Sequence, residues 1–250
     1  MQLTILGSGT NVHPSRAAAG YLVDADQPLL LDFGPRTLIN LRKAGRSRHE
    51  LGTILFSHYH ADHFSDFITF FFDAVYHSKY VGKRSDMTII GPRGTRKLFG
   101  MILKTFPGFA SAAFRVTLCE VEGEDMRLGG ARIISRTVRH SSGLHCVGYR
   151  IEHEGRVLAY SGDSEYCSSL VELCTGADLA VLDCSFPANK PGPGHMHAGQ
   201  CGQVAHEAAA RRLVLSHFYP VAERYDVKKQ AGRYFEGRIT KARDRMRVRI

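Results

Sequence analysis

The sequence predicts a mixed α/β fold in which two sheet-bearing halves face one site, and three observations lead there. Short apolar runs bounded by Gly, Asp and Pro recur along the chain at strand length. Stretches with helical spacing interrupt these runs instead of following them as a block. Two distant segments, Ile54-Leu55-Phe56-Ser57-His58 and Val214-Leu215-Ser216-His217, share one design, a buried apolar strand that ends in Ser-His.

Taken in order, Leu3–Leu6, Tyr21–Val23, Leu29–Leu31, Thr53–Phe56 and Ile133–Val138 read as strands. The opening Leu6-Gly7-Ser8-Gly9-Thr10 contains a G-x-G, but Pro14 and the lack of a helical pattern behind it argue against a dinucleotide loop. Gly34-Pro35 followed by Leu38, Leu41 and Lys43 marks a helix start, and Ala198, Cys201, Ala205 and Ala208 recur at helical spacing. Phe64, Phe67 and Phe71 fall on one helical face and predict core packing. Phe70 and Phe72 cannot all share that face, which leaves part of the run up to Tyr80 for a substrate mouth or a homodimer contact. At the C-terminus Lys241, Arg243, Arg245, Arg247 and Arg249 alternate with Ala242, Asp244, Met246, Val248 and Ile250, which predicts one strand with five cations on a face. No aromatic residues interleave to stack bases, so a charge-protected edge strand is the better reading than a phosphate-binding face.

With 44% hydrophobic and 23% charged residues over 250 positions, the chain has enough apolar material for an extensive core, and the expectation is one domain over residues 1–250. No run approaches the roughly 18 apolar residues of a membrane helix, and no basic segment precedes a signal-type stretch, so no membrane is expected and the cytoplasm is the default location. The six cysteines form no C-x-x-C pair and read as reduced core thiols. Lys plus Arg exceed Asp plus Glu by 33 to 24, a net +9 that favours an anionic substrate.

The chemistry concentrates in Ser57-His58-Tyr59-His60-Ala61-Asp62-His63. A lone histidine is usually a surface or core residue, but three imidazoles and a carboxylate at one strand end are costly without a common partner. His58 and His60, two apart in an extended chain, point the same way, and Asp62 and His63 follow at the turn into a helix, so one loop can serve two neighbouring metals. Nitrogen and carboxylate donors without thiolate suit Zn2+, with Mn2+ or Fe2+ as alternatives. Adjacent strand residues point to opposite faces, so Ser57-His58 and Ser216-His217 are not read as nucleophile and base.

This segment resembles the H-x-H-x-D-H motif of the metallo-β-lactamase superfamily, matched in full by His58, His60, Asp62 and His63. Val138-Arg139-His140-Ser141, Tyr160-Ser161-Gly162-Asp163-Ser164 and Leu215-Ser216-His217-Phe218 match its later motifs in order, across nearly the whole chain. The resemblance implies a four-layer αββα sandwich. It also implies two divalent metal ions, one held by His58, His60 and His140, the other by Asp62, His63 and His217, with Asp163 shared. Two ions roughly 3.5–4 Å apart would lower the pKa of a shared water toward neutrality and make it the nucleophile. Asp62, sometimes proposed as a base in the family, is assigned to metal first and kept as a catalytic candidate.

The presence of Asp163 and His63 sets the chain with the branch that holds ribonuclease Z, related phosphodiesterases, arylsulfatases and glyoxalase II. The opening glycine segment, Tyr160–Ser164 and Gly194-His195-Met196-His197-Ala198 look most like ribonuclease Z. That likeness implies an acid pair near the leaving group, matched by Asp183, in place of the usual glutamate, and His195; His197 is a rival or a helix cap. Only residues 141–162 separate His140 from Asp163, so the long transfer-RNA arm of many ribonuclease Z proteins has no room. The expectation is a phosphodiesterase acting on an anionic ester, RNA or a smaller phosphodiester. A hydrolase of sulfate, carboxylic or thioesters is the alternative, and a non-hydrolytic metal protein a more distant one.

Overall fold

The computed structural model describes residues 1–250. The first half contains β1 (Gln2–Gly7), β2 (Gly20–Asp24), β3 (Pro28–Leu31), α1 (Thr37–Lys43), β4 (Thr53–Leu55), α2 (Ala61–Phe64), α3 (Asp66–Tyr80), β5 (Met87–Gly91), α4 (Thr95–Thr105) and β6 (Val116–Glu120). The second contains β7 (Asp125–Leu128), β8 (Ala131–Thr137), β9 (Val147–His153), β10 (Arg156–Tyr160), α5 (Ser168–Cys174), β11 (Leu179–Asp183), α6 (Ala198–Glu207), β12 (Arg212–Ser216), α7 (Val227–Ala231) and β13 (Arg238–Lys241). A last strand, β14 (Met246–Arg249), returns to pair antiparallel with β1. Two seven-stranded sheets result, ordered β14-β1-β2-β3-β4-β5-β6 and β13-β12-β11-β10-β9-β8-β7. Helices cover the outer face of each, which makes the αββα sandwich.

The layering follows from the two-residue period of a strand. In the first sheet Leu3, Ile5, Tyr21, Val23, Leu29, Leu31, Leu55 and Ile90 point to the inter-sheet core. Their neighbours Leu6, Leu22, Leu30, Ile54 and Ile89 point outward to a second core. That outer core is closed by Phe67, Phe70 and Phe71 of α3 and Phe99 and Ile102 of α4. A strand buried on both faces needs a continuous apolar run, which is why these segments carry so few polar residues.

The β3–α1 turn carries a close approach. A Cβ on Gly34 would stand 1.9 Å from the backbone oxygen of Asp62, so only glycine lets this turn lie against the loop that follows β4. Asp66 at the start of α3 accepts from the backbone N–H of Leu38 at 2.8 Å, which fixes α1 against the same loop.

The five strands expected in the first two thirds of the chain form, with β4 one residue shorter and β8 beginning earlier, and the helices expected at Leu38–Lys43 and Ala198–Ala208 are α1 and α6. The aromatic run divides differently. Phe70 joins Phe67 and Phe71 in the core and Phe64 is only half-buried, whereas Phe72, Tyr76 and Tyr80 are exposed. These three line a groove of about 440 Å³ with Phe106 and Pro107, and no candidate metal ligand lines it. The C-terminal alternation is also corrected. Residues 242–245 turn, with Arg245 at φ 63°, so Lys241 ends β13 of one sheet while Arg247 and Arg249 lie on β14 of the other. Lys241 is bound to Glu223 at 2.7 Å, and no single five-cation face exists. Five of the six cysteines are buried, Cys119 is half-buried, and all are free thiols. No helix is long and apolar enough to cross a membrane.

Candidate metal centre

Both sheets deliver their polar residues at strand ends. β4 runs into Ser57 and His58, β8 leads to His140, β10 to Asp163, β11 ends at Asp183, and β12 leads to His217. Asp32 after β3 and His217 after β12 have φ values of 56° and 61°, left-handed conformations that cost non-glycine residues strain and here lie next to the site.

Three groups of donor atoms converge, those in each within 4.8 Å of one another: His58, His60, His140 and Asp163; Asp62, His63 and His217; and Asp163, Asp183, His195 and His217. In the first, Nε2 of His58 and Nε2 of His140 each stand 3.0 Å from Nδ1 of His60, and Asp163 Oδ2 lies 3.7 Å from both Nε2 atoms. In the second, Nε2 of His63 and Nε2 of His217 are 3.1 Å apart, and Asp62 Oδ2 is 3.5 Å from the His217 nitrogen. Asp163 Oδ1 sits 3.1 Å from His63 and 3.3 Å from His217. The carboxylate of Asp163 thus faces one group with each oxygen, and all seven residues expected as ligands come together.

The outward nitrogens decide what the inward ones can do. His63 Nδ1 donates to Asp32 Oδ2 at 2.8 Å, and His140 Nδ1 to the Gly194 carbonyl at 2.5 Å. Ser57 Oγ donates to Asp32 at 2.7 Å and so accepts from His58 Nδ1 at 3.0 Å. Ser185 Oγ repeats this, donating to Asp183 at 2.6 Å and accepting from His217 Nδ1 at 3.1 Å. With the outer nitrogens of these four rings committed as donors, the inward nitrogens face one another and the Asp163 carboxylate, an arrangement that calls for a cation among them, whether protons or a metal ion. Asp163 Oδ1 is likewise buried without a hydrogen-bond partner. The donor set therefore fits divalent metal ions held by nitrogen and oxygen.

The electrostatics agree. Burial by itself would lower the pKa of His63, but the Asp163 and Asp32 carboxylates overcome it and hold it at about 10. His217 is raised against its burial too, first by Asp163. Burial would raise the carboxyl of Asp163, yet the charges of His217 and His63 hold it well below the usual range. A field that draws protons this strongly onto buried imidazoles also draws a metal cation in their place.

Beside the second group, Asp183 Oδ2 accepts from His195 Nδ1 at 2.8 Å, as the sequence leads one to expect. Asp183 is fully buried and also accepts from the backbone of Ser164 and Ser185. His197 resolves as the helix cap: its Nδ1 accepts from Gln200 N–H at the start of α6, and Gln200 reaches back to its backbone. Ser57 departs from expectation by lying next to His58 instead of pointing away. Its hydroxyl is buried and given to Asp32, so it remains an anchor and not a nucleophile.

Sequence reasoning missed Asp32. Its carboxylate accepts from Ser57 N–H and Oγ, His63 and the Tyr160 hydroxyl, with no exposed surface. The available signal was an aspartate closing the fully apolar run Leu29-Leu30-Leu31. Ser185 and the Gly194 carbonyl were missed as well, and nothing in their local sequence marks them.

The β-lactamase superfamily domain matches residues 27–218, and the chain belongs to that superfamily as a metallo-hydrolase. An uncharacterized protein of Mycobacterium leprae is 35% identical over 96% of this chain and 85% of its own length. Ribonuclease Z of Mycobacterium bovis is 26% identical, covering 100% of this chain and 98% of that one. The crystal structure of the metallo-β-lactamase fold protein YhfI from Bacillus subtilis superposes with a TM-score of 0.85 at 25% identity, over 99% of this chain and 98% of that one.

Proposed function

We propose that the chain, a single domain over residues 1–250, is a phosphodiesterase with two divalent metal ions, zinc in the first place, that cleaves RNA or a smaller phosphodiester. The observation that carries the reading is the division of Asp163, one oxygen toward His58 and His140 and the other toward His63 and His217. His58, His60 and His140 would hold one ion, Asp62, His63 and His217 the other. When bound, such ions supply Lewis acidity and an activated water. The net charge of +9 and the similarity to ribonuclease Z support an anionic phosphodiester over other esters.

The protein's own part is orientation and proton delivery. Asp32, Ser57, Ser185 and Gly194 fix the imidazole rings and their tautomers. Burial would lower the pKa of His195, but the Asp183 carboxylate raises it, which favours the protonated ring that could give its proton to a departing oxygen. Burial would likewise raise Asp62, yet the His217 hydrogen bond and the His63 charge leave it a strongly stabilised anion. Such an anion is a poor base and a good ligand, which supports giving Asp62 to the metal.

The test is hydrolysis of bis(p-nitrophenyl) phosphate by the metal-loaded protein, beside aryl sulfate, carboxylic ester and thioester substrates. Phosphodiester cleavage that disappears in Asp163→Ala and falls about 10²-fold or more in His195→Ala supports the reading. Turnover confined to one of the other esters would move the chain to that class.

A further inference from the structure

The two parallel strands that end at the site are in register, with Asp183 of β11 opposite Ser216 of β12. Three residues beyond each, the same register sets Phe186 beside Tyr219. Their rings stack with centroids 5.1 Å apart at 14°, and both are partly exposed. Backbone contacts hold them there: Tyr219 N–H donates to the Ser185 carbonyl at 3.3 Å, and the Phe186 carbonyl accepts from Ala198 at the start of α6 at 3.0 Å. The tip of the Phe186 ring also lies against the chain at Gly192, where a Cβ would come within 2.4 Å of it. The pair is thus a two-ring stack built on strand ends, with Tyr219 the member nearer His195.

The position of this stack carries the inference. The His195 ring stands 5.5 Å from Tyr219 and 6.0 Å from Phe186, edge-on to both, and His217 is 6.3 Å from Tyr219. Whatever group departs with a proton from His195 leaves next to the Tyr219 ring. A partly exposed aromatic pair at that place gains most by covering itself with another flat ring. We propose that Tyr219, backed by Phe186, is a stacking platform for the nucleobase of a departing nucleoside, so that the substrate carries a nucleoside on the leaving side of its phosphodiester. The identity of the departing group rests on the phosphodiesterase reading; the platform itself rests on ring geometry. Stacking reads the face of a base and not its edge, so this subsite selects nucleosides over simple alcohols with little preference among bases.

The experiment is direct binding of adenosine, with ribose as the flat-ring-free control, to the metal-loaded protein and to Tyr219→Phe and Tyr219→Leu. The platform predicts saturable adenosine binding, none by ribose, retention in Tyr219→Phe, and weakening of about tenfold or more in Tyr219→Leu, the loss expected for one base stack. Rescue by phenylalanine separates stacking from a hydroxyl contact, and equal metal content in all three proteins separates it from damage to the site. Should Tyr219→Leu not fold, Tyr219→Trp takes its place and must bind adenosine more tightly than the wild type. Adenosine binding that is absent, or unchanged in Tyr219→Leu, overturns the proposal. Adenosine binding without phosphodiester hydrolysis would leave the platform standing and remove the phosphodiesterase reading, so the two failures are distinguishable.

Discussion

Replacing Asp183 by Asn keeps a side chain that can hydrogen-bond to His195 and removes the charge that favours its imidazolium. The raised pKa of His195 means that its acid form is present at low pH and lost as pH rises through that value. Asp183→Asn is therefore expected to move the basic limb of kcat/KM to lower pH, read from the full pH profile; an unmoved limb would remove His195 from the acid role. Asp32 makes a different prediction. It supplies the acceptor for His63 and for Ser57, so Asp32→Ala should weaken metal affinity by about 10–100-fold in a chelator competition while every ligand remains in place. The residue scale also shows why the ligands were legible in sequence and their supports were not. His58, His60, Asp62 and His63 sit within one strand end and its turn, so local spacing reports their grouping. Asp32 meets Ser57, His63 and Tyr160 only after folding, across separations of 25, 31 and 128 residues.

Among the elements, the turn between β3 and α1 packs directly against the metal loop. Gly34→Ala would drive a methyl group into the backbone oxygen of Asp62, and no side-chain rotation relieves a backbone clash. A destabilisation of about 1–3 kcal/mol in urea unfolding is expected, together with reduced metal affinity. A second tether joins the N-terminal loop to the end of β13 through Glu223, which binds Arg16 and Lys241. Burial would raise this carboxyl, but the Lys241 and Arg16 contacts hold its pKa at about 2, below the ordinary 4.5. Since the folded value is depressed, the tether stabilises the protein above pH 4.5 and is lost as pH falls toward 2. The stability gap between wild type and Glu223→Gln should close over that interval, and a gap constant with pH would deny the ion pairs a role. The C-terminal segment shows the limit of pattern reading at this scale. Its cations alternate without interruption from Lys241 to Arg249, yet the chain turns at residues 242–245 and changes sheets. A two-residue period reports which face a residue takes, not whether the strand continues.

On the scale of the whole molecule, two seven-stranded sheets bring ligands from both halves of the chain to one edge of the sandwich. The repeated strand-to-Ser-His design announced that convergence in the sequence, because an apolar run ending in polar residues places them where a sheet gives out. The register of β11 against β12, and with it the Phe186–Tyr219 stack, could not be read there, since parallel pairing leaves no local mark. Ions shared between the halves bind the folded state alone, so their removal by chelator should lower the Tm, and added Zn2+ should restore it. The most direct test of the account is the metal content of the purified, zinc-saturated protein after removal of free ion, measured by elemental analysis against protein concentration. About two zinc ions per chain are expected, falling in Asp163→Ala. A folded wild-type protein that holds one ion or none would contradict it.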